Sequence, residues 1–456
     1  MHYRTRTARA ADPTGSEFPR DFPRVGSTTC EPMATRKRKT APKTEPEPQE
    51  RAERRALSHV GGKVEFRGGS EQEKSALEQA LDVTPDEKAV MAHVHGFHSY
   101  PARLHPLTAS RLIEKLTRAH ARVLDPFCGS GTVLVEARLL GRQAFGVDAN
   151  PLAVELAWLK TRSLPPRRRA ELLAAARQVA EHAETRRKAK AGPTRRYDAE
   201  DRELFEVHVL LELDGLKAGI DTLAGSEDLK RALRLVLSAI LTKVSRRPGD
   251  TTARRVTGRR LASGYTIKLF TRKAEELEQR LAGFTEHVPR RTPEARVAVG
   301  DARDLGNVRP ASIDLVLSSP PYPGVYDYIE HHASRLAWLD LDARAFSKKE
   351  IGSRRNLSRL PHIEALRRWE RELGACLAEM ARVVHPDGKI ALVIADSVLG
   401  GTAVYADELL ERLAPRAQLS LGAVASQVRP YFHAPTASAF RKKPRREHVV
   451  LLERGA

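Results

Sequence analysis

The chain of 456 residues predicts an open α/β sheet of seven strands, doubly wound with helices on both faces. Three observations predict it. From Ala121 onward short apolar runs alternate with helical apolar spacing. Small-residue loops join strand ends to helix starts, and four polar groups fall just past strand ends, where ligands of such sheets bind. The first strand is Arg122–Asp125, followed by a loop and a helix over 132–140 that Gly141 closes. Residues 144–148 form the second strand, 295–299 the third and Ile313–Ser318 the fourth. An amphipathic helix over 363–384 and the turn His385-Pro-Asp-Gly388 lead into the fifth, 389–395. Residues 417–428 and 447–452 make a final adjacent pair.

On a prior of roughly 150 residues per domain, the length suggests two or three units or one domain with large additions. Lys and Arg number 78 against 58 Asp and Glu, a net charge of +20, so a polyanion is the first partner to consider. No stretch approaches the roughly 18 apolar residues of a membrane span, and the arginine-studded start has no apolar signal region. The expected location is the cytoplasm. Cys30, Cys128 and Cys376 are too few and too scattered for a disulfide framework or a structural zinc site, and no metal is expected.

Residues 1–85 read as a disordered basic tail, with 34–56 rich in Lys, Arg, Glu and Pro; translation is expected to start at Met33. The sheet domain then occupies 86–160 and 272–456. Residues 161–271 form a mainly helical insertion, since one crossover between the second and third strands needs only about 25 residues. With the helix at 272–283 feeding the third strand, the insertion is expected to leave from the carboxyl end of strand two. The alternative is that 151–159 is the crossover helix and the insertion departs from the opposite face.

The loop Asp125-Pro-Phe-Cys-Gly-Ser-Gly-Thr132 brings backbone N–H groups and a helix start close to a ligand. It is no dinucleotide fingerprint, because Leu134 stands where the third glycine belongs, and no phosphate-loop Gly-Lys-Ser/Thr follows. Asp148 ends the second strand, where a carboxylate can accept from both hydroxyls of a ribose; the plainer reading is a cap for the helix starting at Pro151. Asp301 follows the third strand and Ser319-Pro-Pro-Tyr322 the fourth.

Asp-Pro-Phe-Cys-Gly-Ser-Gly-Thr resembles motif I of the S-adenosylmethionine-dependent methyltransferases, and Ser319-Pro320-Pro321-Tyr322 resembles the motif IV tetrapeptide of those that methylate exocyclic amines of nucleic-acid bases. The segment His98-Ser-Tyr-Pro-Ala-Arg-Leu-His-Pro106 is similar to the one preceding motif I in bacterial amino-DNA methyltransferases. The resemblance covers roughly 95–160 and 295–455, and implies a Rossmann-like class I methyltransferase fold, S-adenosylmethionine as cofactor and DNA as partner. It implies a cofactor site of Tyr100, Asp125, Phe127, Cys128, Gly129, Ser130, Gly131, Thr132, Asp148 and Asp301.

An exocyclic amino nitrogen is a poor nucleophile, because its lone pair is delocalised into the ring. In the family, the first side chain of the tetrapeptide and the carbonyl of the next proline accept its two protons, here Ser319 and the Pro320 C=O. Consecutive prolines fix φ near −65° and hold that carbonyl rigidly. Tyr322 then offers a ring for an extruded base. Serine at the head of the tetrapeptide leans toward cytosine N4 over adenine N6. Cys128 is expected to pack rather than react, and His331 and His332 to lie on a helix face. The basic run Arg441, Lys442, Lys443, Arg445 and Arg446, between strands six and seven, is placed to engage phosphates.

The expected activity is amino-methylation of DNA, in the manner of restriction-modification enzymes, with the insertion as candidate target reader. Two rivals stand beside it: an RNA enzyme of the guanine-N2 type, and a nonenzymatic basic DNA-binding protein on the same scaffold. The sequence sets neither the oligomeric state nor the recognition site.

Overall fold

The computed structural model describes residues 62–83, 90–247, 260–429 and 434–455. Met33, Cys30 and the basic tail up to residue 61 lie outside them. Eight strands form the main sheet: β1 (Val64–Gly68), β2 (Arg122–Asp125), β3 (Gln143–Asp148), β4 (Arg296–Val299), β5 (Ile313–Ser318), β6 (Val384–Ala395), β9 (Leu419–Val428) and β10 (Arg446–Arg454). A separate hairpin pairs β7 (Ser397–Leu399) with β8 (Thr402–Val404). The sheet order is β1-β9-β10-β6-β5-β2-β3-β4. In the expected seven-strand numbering, β4 through β9 read 3-2-1-4-5-7-6. β10 runs antiparallel between β6 and β9, and the strands from β6 to β4 are parallel. This is the class I methyltransferase topology, and it places the ends of β2, β3, β4 and β5 on one edge.

The central strands are apolar because they are covered on both faces. Val123, Leu124, Leu315, Val316 and Leu317 are fully buried. The helix Thr132–Leu139 ends in a Schellman motif: Gly141 (φ +74°) donates to Arg138 O, and Arg142 donates to Ala137 O. The turn at His385–Gly388 appears as a register shift in the β5–β6 pairing, where Ile313 faces Val384 and Leu315 already faces Lys389.

Two expectations need correction. The tail does not extend to residue 85, because β1 adds an eighth strand at the edge of β9 and Glu71–Leu81 is a helix. The signal was present as a capping box, in which Ser70 and Glu73 bond each other's backbone, followed by Ala76, Leu77, Ala80 and Leu81, all buried. The second correction concerns the insertion. Helix Pro151–Lys160 packs on β3 and β4 and is itself the crossover, so the insertion leaves from the amino ends of the strands, opposite the ligand edge. Its departure and return lie together: Ser163 N–H donates to Glu294 and Leu164 N–H to Thr285 Oγ1, while Arg138 bonds both Thr161 O and Glu294.

The described part of the insertion is mainly helical, with helices Pro166–Lys188, Ala199–Leu204, Val207–Thr222 and Glu227–Val244, and Tyr265–His287 returning to the sheet. Among the described residues it has no separate core. Leu213, Val236 and Phe270 share one cluster with Leu152, Leu156 and Leu159 of the crossover helix and with Phe97 and Tyr100.

Candidate active site

The loop after β2 is sewn down from three directions. Asp125 is buried, and its Oδ1 accepts from Ser318 Oγ (2.6 Å) and Phe127 N–H (3.1 Å), joining the tips of β2 and β5. Burial pushes this carboxyl up to about 7, although the Ser318 hydrogen bond opposes the rise. Cys128 N–H donates to Val147 O (3.0 Å), and the thiol is buried, so it packs as expected. Gly129 (φ +48°) donates to Asp148 Oδ2 (2.8 Å). At Gly131 (φ +87°) a Cβ would lie 2.9 Å from the Ala157 backbone, so this glycine serves the close approach to helix Pro151–Lys160.

Of the residues expected at the cofactor, Tyr100, Phe127, Gly129, Asp148 and Asp301 line one cleft of about 640 Å³, open mouth included. Asp125, Cys128, Ser130, Gly131 and Thr132 do not. Ser130 Oγ, for instance, accepts from the buried Lys160 (3.3 Å).

Asp148 is not the helix cap. Asn150 takes that role, its Oδ1 accepting from Leu152 N–H (3.0 Å). Asp148 Oδ1 accepts from Asn150 N–H (2.8 Å) and Oδ2 from Gly129, and burial pushes the carboxyl up to about 6. Asp301, one strand over, is held differently. Arg303 clamps both its oxygens (2.9 and 2.7 Å) and draws its carboxyl below the usual range despite burial. Tyr100 lies over the glycine loop, its hydroxyl accepting from Asn150 Nδ2 (3.2 Å) and its ring stacked on His332 (4.9 Å). His332 is buried, bonds Asn150 through Nδ1 (3.1 Å) and is held neutral by burial, its pKa near 3.

Ser319 and Pro321 line the same cleft. The Pro321 carbonyl accepts from Trp369 Nε1 (3.3 Å), while among the described residues no protein donor bonds the Pro320 carbonyl. Tyr322, whose ring was expected to meet an extruded base, touches both the tetrapeptide and the core. Its ring packs against the core cluster containing Trp369, outside the cleft lining, and its hydroxyl lies 3.4 Å from Ser319 Oγ. The segment that follows is stapled by Asp327, which accepts from Ser353 Oγ (2.8 Å) and Arg355 N–H (2.7 Å). It returns Phe346, Lys349, Glu350 and Ile351 to the cleft wall. Sequence reasoning missed these four, since no motif marks them.

The basic run is partly spent inside the protein. Lys443 pairs with Glu408 (2.7 Å) and lies over the Tyr405 ring, Arg446 pairs with Glu65 (2.7 Å), and Arg445 donates to Asp396 O (3.0 Å). Arg441 and Lys442 are exposed. Nearby, the side-chain atoms of Asp396, Asp407 and His448 lie within 4.8 Å of one another. His448 bonds Asp396 (3.1 Å), and Arg67 and Lys443 face Asp407, whose Oδ1 has no hydrogen-bond partner among the described residues.

Residues 28–158, which include the glycine loop and Asp148, match the DNA methylase family. The match covers 131 of the 456 residues, and over this stretch the chain is similar to the DNA methylases. The tetrapeptide lies outside the match. The Type II methyltransferase M.MvaI of Kocuria varians is 37% identical over 75 residues, 16% of this chain and 16% of that protein. The Type II methyltransferase M.MjaII of Methanocaldococcus jannaschii is 36% identical over 78 residues, 16% of this chain and 14% of that one. A tRNA (guanine(10)-N2)-dimethyltransferase of Pyrococcus abyssi is 42% identical over 57 residues, 12% of this chain and 17% of that protein. Each similarity thus spans about a sixth of the relative's length. Among solved structures, TrmN of Thermus thermophilus aligns at 14% identity over 79% of this chain and 52% of that one, with a TM-score of 0.32. At that score the fold assignment rests on the strand order above.

The cofactor of this family is S-adenosylmethionine, and the residues present fit it. Each Asp148 oxygen holds one backbone N–H and keeps acceptor capacity toward the cleft. A Cβ at Gly129 would lie 3.4 Å from Tyr100 Cε1, narrowing the space that the glycine leaves open. Among the described residues, no helix is long and apolar enough to cross a membrane.

Proposed function

We propose that the chain transfers the methyl group of S-adenosylmethionine to an exocyclic amino group of a base in DNA, cytosine N4 ahead of adenine N6. One observation carries the reading: Ser319 and Pro321 of the tetrapeptide line the same cleft as Gly129 and Asp148. When bound, S-adenosylmethionine supplies a methyl group on a positively charged sulfur. Asp148 accepts from the ribose hydroxyls, with Tyr100 and Phe127 closing the sides. Ser319 Oγ and the Pro320 carbonyl accept the two amino protons and draw the nitrogen toward a tetrahedral, nucleophilic geometry. The Trp369 bond to the next carbonyl fixes the proline pair, so the two acceptors are positioned before the base arrives. Tyr322 orients the Ser319 hydroxyl rather than stacking on the base. The insertion is the target reader, and Arg441 and Lys442 are the part of the basic run that meets phosphates.

The relative from Pyrococcus abyssi supports a second reading, a guanine-N2 enzyme of tRNA. One experiment separates them: mass spectrometry of nucleosides from DNA, tRNA and rRNA incubated with the protein and labelled S-adenosylmethionine. N4-methylcytosine in DNA is the expected product. N2-methylguanine in tRNA would move the activity to RNA, and label in none of the three would leave a nonenzymatic scaffold.

A further inference from the structure

A second, shallow cavity, of about 380 Å³ with its open mouth included, lies where the insertion meets the helix Tyr328–Trp338 that follows the tetrapeptide. Phe205 and Leu241 of the insertion form an apolar floor and are buried. Arg247 stands at the rim with 37% of its side chain exposed, and its ion pair with the exposed Glu200 (3.6 Å) is worth little. Glu330, His331 and Ser334 supply the opposite wall from the helix. An apolar floor under a few convergent polar groups is the usual make-up of a ligand site.

This cavity and the cofactor cleft share a wall. Tyr328 lines the cleft and His331 lines the second cavity; three residues apart on one helix, their Cβ atoms are neighbours at about 5–6 Å. Tyr326 bridges them on the outside, 5.6 Å from the Tyr328 ring and edge-on to His331 at 6.1 Å. The wall is braced from behind. Arg335 is buried and donates to Ser238 and Thr242 of the insertion and to Ser99 (3.0 Å) of the segment leading to Tyr100, while His98 bonds Ser238 Oγ (3.0 Å).

We infer that the second cavity holds the nucleotide adjacent to the target base in the DNA strand. Arg247 meets its phosphate, Glu330 and Ser334 read the base edge as acceptor and as donor or acceptor, and the Tyr326 and His331 rings line the path between the two cavities. The inference rests on the proposed DNA methylation, and it assigns to the insertion a specific position read rather than general attraction.

The test is to map methylated positions in genomic DNA treated with the wild type, Arg247→Ala and Ser334→Ala, alongside calorimetric affinity for S-adenosylhomocysteine. Arg247→Ala should raise KM for DNA about 5–10-fold with kcat within about twofold, and flatten the slope of log KM against log salt by about 0.9, one phosphate contact. Ser334→Ala should relax the base preference at the position beside the methylated base, with product affinity unchanged. A uniform loss of activity with the same preference, or a loss of S-adenosylhomocysteine affinity matching the loss of methylation, would overturn the subsite. Failure of the DNA reading itself shows earlier, as a wild type that leaves DNA unmethylated, and removes both.

Discussion

The two sides of the cleft are built by different means. The β2–β3 side holds its groups through bonds of short reach: Phe127 N–H to Asp125, Asn150 N–H to Asp148, and Gly129 N–H across to the same carboxylate. The β5 side depends on partners far away in sequence. Trp369 fixes the Pro321 carbonyl from 48 residues on, and Asp327 reaches Ser353 and Arg355. Backbone-held geometry of the first kind survives changes in the rest of the protein, whereas the second kind depends on the whole segment 323–369 packing correctly. A cofactor common to a family suits the former, and a substrate that differs among its members suits the latter.

The largest effect that tests this contrast is Ser319→Ala. Turnover should fall by a factor on the order of 10² or more, while calorimetric affinity for S-adenosylhomocysteine stays level, because the group acts only on the substrate side. Equal losses in both would erase the distinction. Asp148→Ala should do the reverse, weakening cofactor binding by about 1–3 kcal/mol, the scale of hydrogen bonds to a charged group. Asp301→Ala should cost far less in the same titration, since Arg303 already occupies both its oxygens.

Asp148 and Asp125, both raised by burial, set the pH response. The Asp148 pKa is raised in the fold to about 6, so its buried carboxyl favours folding below its unfolded pKa near 4, and that contribution is lost as pH rises through 6. Cofactor binding runs the other way, because the ribose hydroxyls need the ionised carboxylate. Affinity should therefore fall as pH drops through about 6, by up to about tenfold per unit. Asp148→Asn should flatten this part of the profile, which distinguishes it from Asp125 at about 7. Asp301, held low, should add nothing in that window.

Smaller effects sharpen the substrate side. Trp369→Phe removes one hydrogen bond, worth about 1 kcal/mol, and should lower turnover several-fold while leaving cofactor affinity unchanged. Replacing Arg441 and Lys442 together by Ala should weaken DNA binding only about two- to fivefold and reduce its salt slope. Lys443→Ala, already paired with Glu408, should leave that slope as it is.

What the sequence reveals follows the same division. All seven expected strands are present within a few residues, because short apolar runs bounded by small-residue loops and turns write their ends into the chain. Asp148 and Gly129 were legible because their partners lie within a few residues or one strand away. Lys349, Phe346 and Ile351 were not, since a wall returned by a long segment leaves no local pattern. The edge strand β1 was overlooked although Ser70 and Glu73 spelled out the helix beside it, because charged neighbours hid a five-residue strand.

The chain enters and leaves the insertion at one place, where Glu294 and Thr285 meet Ser163 and Leu164. Chain ends that leave and re-enter side by side impose no stretch on β3 or β4, so lineages can lengthen or trim the intervening helices without resetting the strands. Outright exchange is another matter. A donor module grafted at this neck would have to bring its own cover for Leu152, Leu156 and Leu159, or the recipient would present a greasy flank to water.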